Sequence, residues 1–241
     1  VPRGQCAQWL ECAKFAGYAG FNATMPHKEE LVPLMDHLDG DAALFGAVNT
    51  VCIRDGAAWG YNTAGAGFLR ALAAEGIDPT GKTVLLLGAG GAAKAVALKL
   101  AQHGAERVFV CNRTLERARA LCAADPTGRL RPAGFDGETL RSLAEQAALL
   151  VNCTSLGMEG TAGQFEDFSF LDALPADAPV VDLIYAPAET QLLARARAGG
   201  RRTINGLGLL VHQAALSLEL FTGETVNKTA LEACFAALEN R

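Results

Sequence analysis

The stretch Thr83-Val84-Leu85-Leu86-Leu87-Gly88-Ala89-Gly90-Gly91-Ala92-Ala93-Lys94-Ala95-Val96 admits few folds. The largely apolar, partly β-branched run 83–87 is too short for a helix and predicts a buried parallel strand. Gly88, Gly90 and Gly91 follow at once, and then Ala93, Val96, Ala97 and Leu100 recur at helical spacing. Strand, glycine turn and helix together aim unpaired backbone N–H groups and the positive end of a helix dipole at one point, where a pyrophosphate binds. A glycine cluster alone would be weak evidence. Here the strand before, the helix after and a second strand at 107–111 supply the context of a dinucleotide motif. Ala93 takes the third motif position, which close helix–strand packing tolerates.

The tip of that second strand selects the nucleotide. A free ribose 2′-hydroxyl usually meets an Asp or Glu about 20 residues past the glycines. This chain offers Asn112-Arg113-Thr114 there, with Arg117 one turn further on. Arginine stacks on adenine and pairs with phosphate, and Thr114 can cap the next helix while donating to the same group. NADP is therefore favoured over NAD.

Half of the 241 residues are apolar, enough for one large or two modest domains. A net charge of -5 without a basic run argues against nucleic acid as partner. No apolar run reaches the length of a membrane span, and no signal peptide is expected. Seven cysteines without a C-x-x-C pair predict reduced thiols, and four scattered histidines offer no metal spacing. The expectation is a cytoplasmic α/β protein with no metal, acting as a monomer or homodimer.

Before the glycine motif, residues 5–15 read as a helix and 17–21 as a turn into a short strand. An amphipathic helix is predicted through Leu38, with Leu31, Leu34 and Leu38 on one face. Pro26 would start it and place Lys28 in its first turn, where the dipole disfavours a cation. Residues 45–53 and 58–61 read as a hairpin turning at Asp55-Gly56, and a helix opens after Asn62 and ends near Gly76. Beyond the second strand, helices are predicted at 115–123, 138–146 and 189–198, and strands at 129–135, 148–152, 180–184 and 202–205. Two C-terminal helices follow. The loop after Asn152 lies at a strand's carboxyl end, where open parallel sheets bind ligands.

These blocks resemble the shikimate dehydrogenase family. The likeness is carried in order by Asn22-Ala23-Thr24-Met25-Pro26-His27-Lys28, Ala47-Val48-Asn49-Thr50, Gly60-Tyr61-Asn62-Thr63, the glycine motif, Asn112-Arg113-Thr114, and the segments 152–158, 182–187 and 206–213. It implies a Rossmann-like, doubly wound parallel domain at 81–206. A smaller α/β substrate-binding domain at 1–80 would be joined by the C-terminal helices 207–241. The implied reaction is the NADP-dependent interconversion of 3-dehydroshikimate and shikimate, or of a related cyclic hydroxy acid.

Position by position, Lys28 matches the lysine that handles the proton at the substrate oxygen. Hydride transfer to a ketone leaves an alkoxide that must be protonated. Asn22, Thr24, Asn49, Tyr185 and Gln213 match side chains that bond the substrate's hydroxyls and carboxylate. The cofactor would meet Gly88, Ala89, Gly90, Gly91, Ala92, Asn112, Arg113, Thr114 and Arg117. Beyond these it would meet Thr154, Ser155, Met158, Ile184, Gly206 and Leu209. Ala64 stands where the family's substrate-contacting aspartate pairs with the lysine, and the family's Ser-x-Ser loop would precede Val1. The alternative is a catalytically weakened relative that binds NADP or a metabolite as a sensor.

Overall fold

The computed structural model describes residues 1–161 and 163–239. They form two compact units, one of Val1–Phe68 with Leu210–Arg241 and the other of Leu69–Leu209.

The first unit begins with α1 (Cys6–Phe15) and β1 (Gly20–Asn22). It continues through β2 (His37–Leu38), α2 (Gly40–Phe45), β3 (Thr50–Arg54), β4 (Ala57–Tyr61) and the start of α3 (Ala64–Ala74). Its sheet is mixed, in the order β1-β3-β4-β2, with β3 and β4 joined as an antiparallel hairpin. Asp55 (φ 51) and Gly56 (φ 78) both take left-handed backbone at its turn, the conformation a tight hairpin needs. Cys6, Leu10, Leu31, Val48 and Val51 fill the core on this sheet.

The helix expected from Pro26 through Leu38 is absent. Residues 25–31 turn, a single 3₁₀ turn spans Val32–Leu34, and His37–Leu38 pairs in parallel with β4. Pro33 is the reason: in a helix it would remove one hydrogen bond and press on the carbonyl of Glu29. The leucine spacing reflects burial of Leu31 in the core rather than a helical face. α2, which lies just before the alternation at 45–53, was not expected. Asp39 caps that helix by accepting from the Ala42 N–H at 2.6 Å, and Gly46 ends it at φ 62.

The second unit carries β5 (Thr83–Leu87), α4 (Gly91–Gln102), β6 (Arg107–Cys111), α5 (Leu115–Ala123), β7 (Leu130–Ala133) and α6 (Gly137–Ala144). Then come β8 (Leu149–Asn152), a short α7 (Phe170–Ala173) that the sequence pattern did not announce, β9 (Val180–Asp182), α8 (Gln191–Ala198) and β10 (Thr203–Ile204). All six strands are parallel, in the order β10-β9-β8-β5-β6-β7. Counted from β5, this is the doubly wound dinucleotide order, and its direction reverses between β5 and β8. Leu85, Leu87, Leu150, Phe170 and Val180 pack its core. The chain returns to the first unit along α9 (Leu207–Thr222) and closes with α10 (Lys228–Glu239). Among the described residues no helix is long and apolar enough to cross a membrane. All seven cysteines are free.

Candidate active site

In the first unit, a cavity of about 300 Å³ gathers Asn22, Thr24, Lys28, Asn49 and Gln213 with Ala23, Leu210, Ala214 and Ser217. Three segments build it. The first is the turn around the cis Met25–Pro26 peptide, where the His27 N–H donates to the Thr24 carbonyl at 2.9 Å. The second is the approach to β3, held to that turn by Val48 N–H donating to the Lys28 carbonyl at 2.8 Å and Ala23 N–H donating to the Asn49 carbonyl at 2.9 Å. The third is α9, whose backbone at Gln213 lies so close to Gly67 that a Cβ there would sit 2.7 Å from the Gln213 nitrogen.

A buried polar network fixes the cavity's side chains. The Asn22 amide donates to Ser217 Oγ at 2.9 Å, to Thr50 Oγ1 at 3.0 Å and to the Asn49 carbonyl at 3.2 Å. With its donor end turned inward, Asn22 keeps its carbonyl oxygen as the acceptor for a ligand. Asn49, 5 % exposed, accepts from Thr63 N–H at 2.9 Å and Thr50 Oγ1 at 3.0 Å, and donates to Thr63 Oγ1 at 3.1 Å. Ser217 Oγ also donates to the Gln213 carbonyl at 3.0 Å. Thr50, Thr63 and Ser217 were missed as supports of this site. Ser217 was legible in principle, since it lies four residues past Gln213 and so on the same helical face.

Lys28 is half-buried, and loss of solvation pushes its amine below the ordinary lysine range. Among the described residues no carboxylate lies within ion-pair distance of it. The dipole argument does not apply, because Lys28 sits in a turn and not at a helix start. Ala64 is the first residue of α3, buried, and not part of the cavity wall. Tyr185 belongs to the other unit, where it is exposed.

In the second unit, Gly88 follows β5 at φ 106, where a Cβ would meet the Cys153 backbone at 3.2 Å. Gly90 is the N-cap of α4 and carries no side chain to satisfy the helix's first N–H groups. Open space surrounds the places where a Cβ would stand on Gly90 and Gly91, and Ala92 is exposed beside them. This is a cradle for an anion: free N–H donors, a helix dipole and room for atoms to approach the backbone. Ala93 beneath it is fully buried.

At the end of β6, the Asn112 amide donates to the Thr114 carbonyl at 2.9 Å and tightens the turn that exposes Arg113. Thr114 occupies the N-cap position of α5 but its side chain makes no capping bond, contrary to expectation. Its ψ of 97° departs from the value near 160° found at the capping residues Asp39, Asp136 and Thr190. Arg113 and Arg117 are exposed and form no ion pair among the described residues. Arg113 borders a cavity of about 210 Å³ with Phe135, Leu156 and Phe165.

At the carboxyl ends of β8 and β9, Asp182 is wholly buried and takes hydrogen bonds from the Asn152 amide at 2.9 Å, Thr190 Oγ1 at 2.6 Å and Ile184 N–H at 3.1 Å. Burial nonetheless raises its carboxyl pKa. Thr154 donates its hydroxyl proton to Asn152 Oδ1 at 2.7 Å, so it shapes the loop carrying Ser155 and Met158. Gly206, whose N–H donates to the Ile184 carbonyl at 3.0 Å, has no room for a Cβ, and Leu209 lies on α9. The histidines, scattered in sequence, are not all isolated in space: His27 lies against Cys6 and Glu30.

Fold and sites together define a two-unit oxidoreductase-type α/β protein, with a dinucleotide cradle in one unit and a polar, lysine-bearing cavity in the other. Family models for the shikimate dehydrogenase substrate binding domain, shikimate / quinate 5-dehydrogenase, and the shikimate 5′-dehydrogenase C-terminal domain match residues 1–51, 71–156 and 206–233. The shikimate dehydrogenase (NADP(+)) of Alkaliphilus metalliredigens is 42% identical over 219 residues, covering 89% of this chain and 76% of the relative. The shikimate 5-dehydrogenase of Listeria monocytogenes, solved with shikimate and NAD, superposes with a TM-score of 0.91 at 29% identity, over 99% of this chain and 83% of that one. The Thermus thermophilus shikimate 5-dehydrogenase, solved with NADP(H) and shikimate, gives 0.84 at 35% identity over 98% and 85%. The chain belongs to the shikimate dehydrogenase family.

Proposed function

We propose that this protein interconverts 3-dehydroshikimate and shikimate with NADP. The observation that carries the reading is the desolvated Lys28 amine, without an ion-pair partner among the described residues, in a cavity walled by Asn22, Thr24, Asn49 and Gln213. Such a cavity suits a small polyhydroxylated acid, because each wall residue bonds a hydroxyl or carboxylate oxygen. NADP supplies or accepts the hydride when bound. Lys28 gives a proton to the substrate oxygen in reduction and takes it back in oxidation.

The cradle of Gly88 to Ala92 suits the pyrophosphate. Arg113 and Arg117, with Asn112 and Thr114 shaping the turn, suit the 2′-phosphate end. The loops bearing Ser155, Met158, Ile184, Gly206 and Leu209 would take the nicotinamide end, and Tyr185 would add a substrate contact. The seven free thiols support a reducing, cytoplasmic setting, with the protein acting as a monomer or homodimer.

Steady-state kinetics with shikimate and NADP, followed by NADPH absorbance, test the reading. Turnover that saturates in both is expected. Ala64 favours a second reading, in which the weakened site binds NADP or metabolite without useful turnover. Tight binding of both ligands by calorimetry, with no NADPH formed, would select it.

A further inference from the structure

The first turn of α1 meets the segment before the 3₁₀ turn through three side chains of metal-ligating type. Cys6 Sγ lies 3.4 Å from His27 Nδ1, and Glu30 Oε2 lies 3.5 Å from the same nitrogen. One donor atom from each residue falls within 4.8 Å of both others. We propose that Cys6, His27 and Glu30 form a binding site for one divalent transition-metal ion of the zinc class.

The spacing is that of ligands around a small tetrahedral ion. Bonds of about 2.3 Å to sulfur and about 2.0–2.1 Å to nitrogen or oxygen put sulfur and nitrogen about 3.6 Å apart, and nitrogen and oxygen about 3.4 Å apart. The donor set is that of zinc: a thiolate, an imidazole and a carboxylate, whose two negative charges neutralise the ion. The carboxylate is already oriented, since Oε1 accepts from the Cys6 N–H at 3.1 Å and Oε2 from the Gly4 N–H at 3.2 Å. Those bonds leave each oxygen a lone pair, and they hold the carboxyl below its usual range. Cys6 is buried, and His27 and Glu30 are partly buried, so three protein ligands face inward and the fourth position is left to water.

Binding would release the Cys6 thiol proton to solvent. Burial and the neighbouring Glu30 raise that thiol's pKa, so affinity should climb with pH. The ion would clamp α1 to the segment that presents Lys28, the residue next to His27 in the chain. The ion's ligands lie outside the substrate cavity, so the site does not depend on the identity of the substrate.

The test is titration of the chelator-stripped full chain with Co²⁺. One equivalent should bind with intense thiolate-to-cobalt charge-transfer absorption. Cys6→Ser should abolish that absorption, Glu30→Gln should weaken binding at least ~10-fold, and Cys12→Ser should change neither. X-ray absorption of the unchanged, zinc-loaded chain guards against a variant that fails to fold: one sulfur and the remainder nitrogen or oxygen are expected. Absence of the charge-transfer band, its survival in Cys6→Ser, or a zinc shell with no sulfur or with two or more would leave these residues a hydrogen-bonded clamp and overturn the site.

Discussion

At the scale of single residues, the proposed chemistry turns on Lys28 and on what faces it. Burial depresses its amine pKa, since among the described residues no carboxylate compensates the lost hydration. Under the proposed reaction the protonated amine would be the donor for ketone reduction, so reduction should decline as pH rises through that lowered value. Neutral, it would be the acceptor for alcohol oxidation, so oxidation should rise through the same value. Ala64→Asp places a carboxylate at the first residue of α3, where the helix dipole accepts it. If it reaches the amine, the cation gains a partner and both limbs move to higher pH. Turnover should increase as well, since a positioned acid–base pair typically contributes ~10²–10⁴-fold. Profiles of kcat/KM against pH for both proteins check this. Unmoved limbs with flat turnover would mean that position 64 does not act on Lys28. Lys28→Met is the companion variant: kcat should fall by a similar ~10²-fold or more while NADP affinity, measured by calorimetry, stays the same.

At the scale of elements, the second unit was legible almost throughout, and in the first α1, the β3–β4 hairpin and α3 were legible while the stretch from Pro26 to Phe45 was not. Strand, glycine turn and helix at 83–102 are local, and each signal repeats within a few residues, so periodicity located β5, α4, β6 and α5 to within a residue or so. The first unit's mixed sheet depends on distant pairings, such as Gly20 opposite Cys52 and His37 opposite Trp59, which no local pattern records. There the leucine spacing misled, and Pro33 decided the matter. The wall of the cavity was read through resemblance, while its supports Thr50 and Thr63 show only in the bonds they make to Asn49, and Ser217 only by its helical spacing from Gln213.

Two expectations belong to elements. Arg113→Ala should narrow the preference for NADP over NAD by ~10-fold or more, the scale of a charge-assisted hydrogen bond to phosphate. Equal affinities for both cofactors in the unchanged chain would refute that. Gly206 marks the entry to α9, where a Cβ would stand 2.0 Å from the Leu183 carbonyl oxygen. Gly206→Ala must therefore push two backbones apart at a cost of ~1–3 kcal/mol, lowering Tm by roughly 3–10 °C in thermal unfolding. An unchanged Tm would show that the segment yields freely.

At the scale of the whole molecule, the two sets of binding groups are built from separate stretches of chain. The cavity draws on residues 22–49 and on α9, and the anion cradle on residues 88–92. Among the described residues, Ser217 bonds to Asn22, Thr50, Thr63 and Gln213, all of the first unit. Independence of this kind has a measurable form. Ser217→Ala removes an acceptor for the Asn22 amide and should raise KM for shikimate several-fold, since a lost buried bond costs ~1–3 kcal/mol. It should leave KM for NADP alone, whereas Arg113→Ala should do the reverse. In the double variant the two losses in kcat/KM should then multiply, with a coupling no larger than ~0.5 kcal/mol, as for sites that share no partner. A clearly larger coupling in the double-mutant cycle would mean that filling one site reshapes the other. The natural carriers of such coupling are α3 and α9, the two helices that run from one unit into the other.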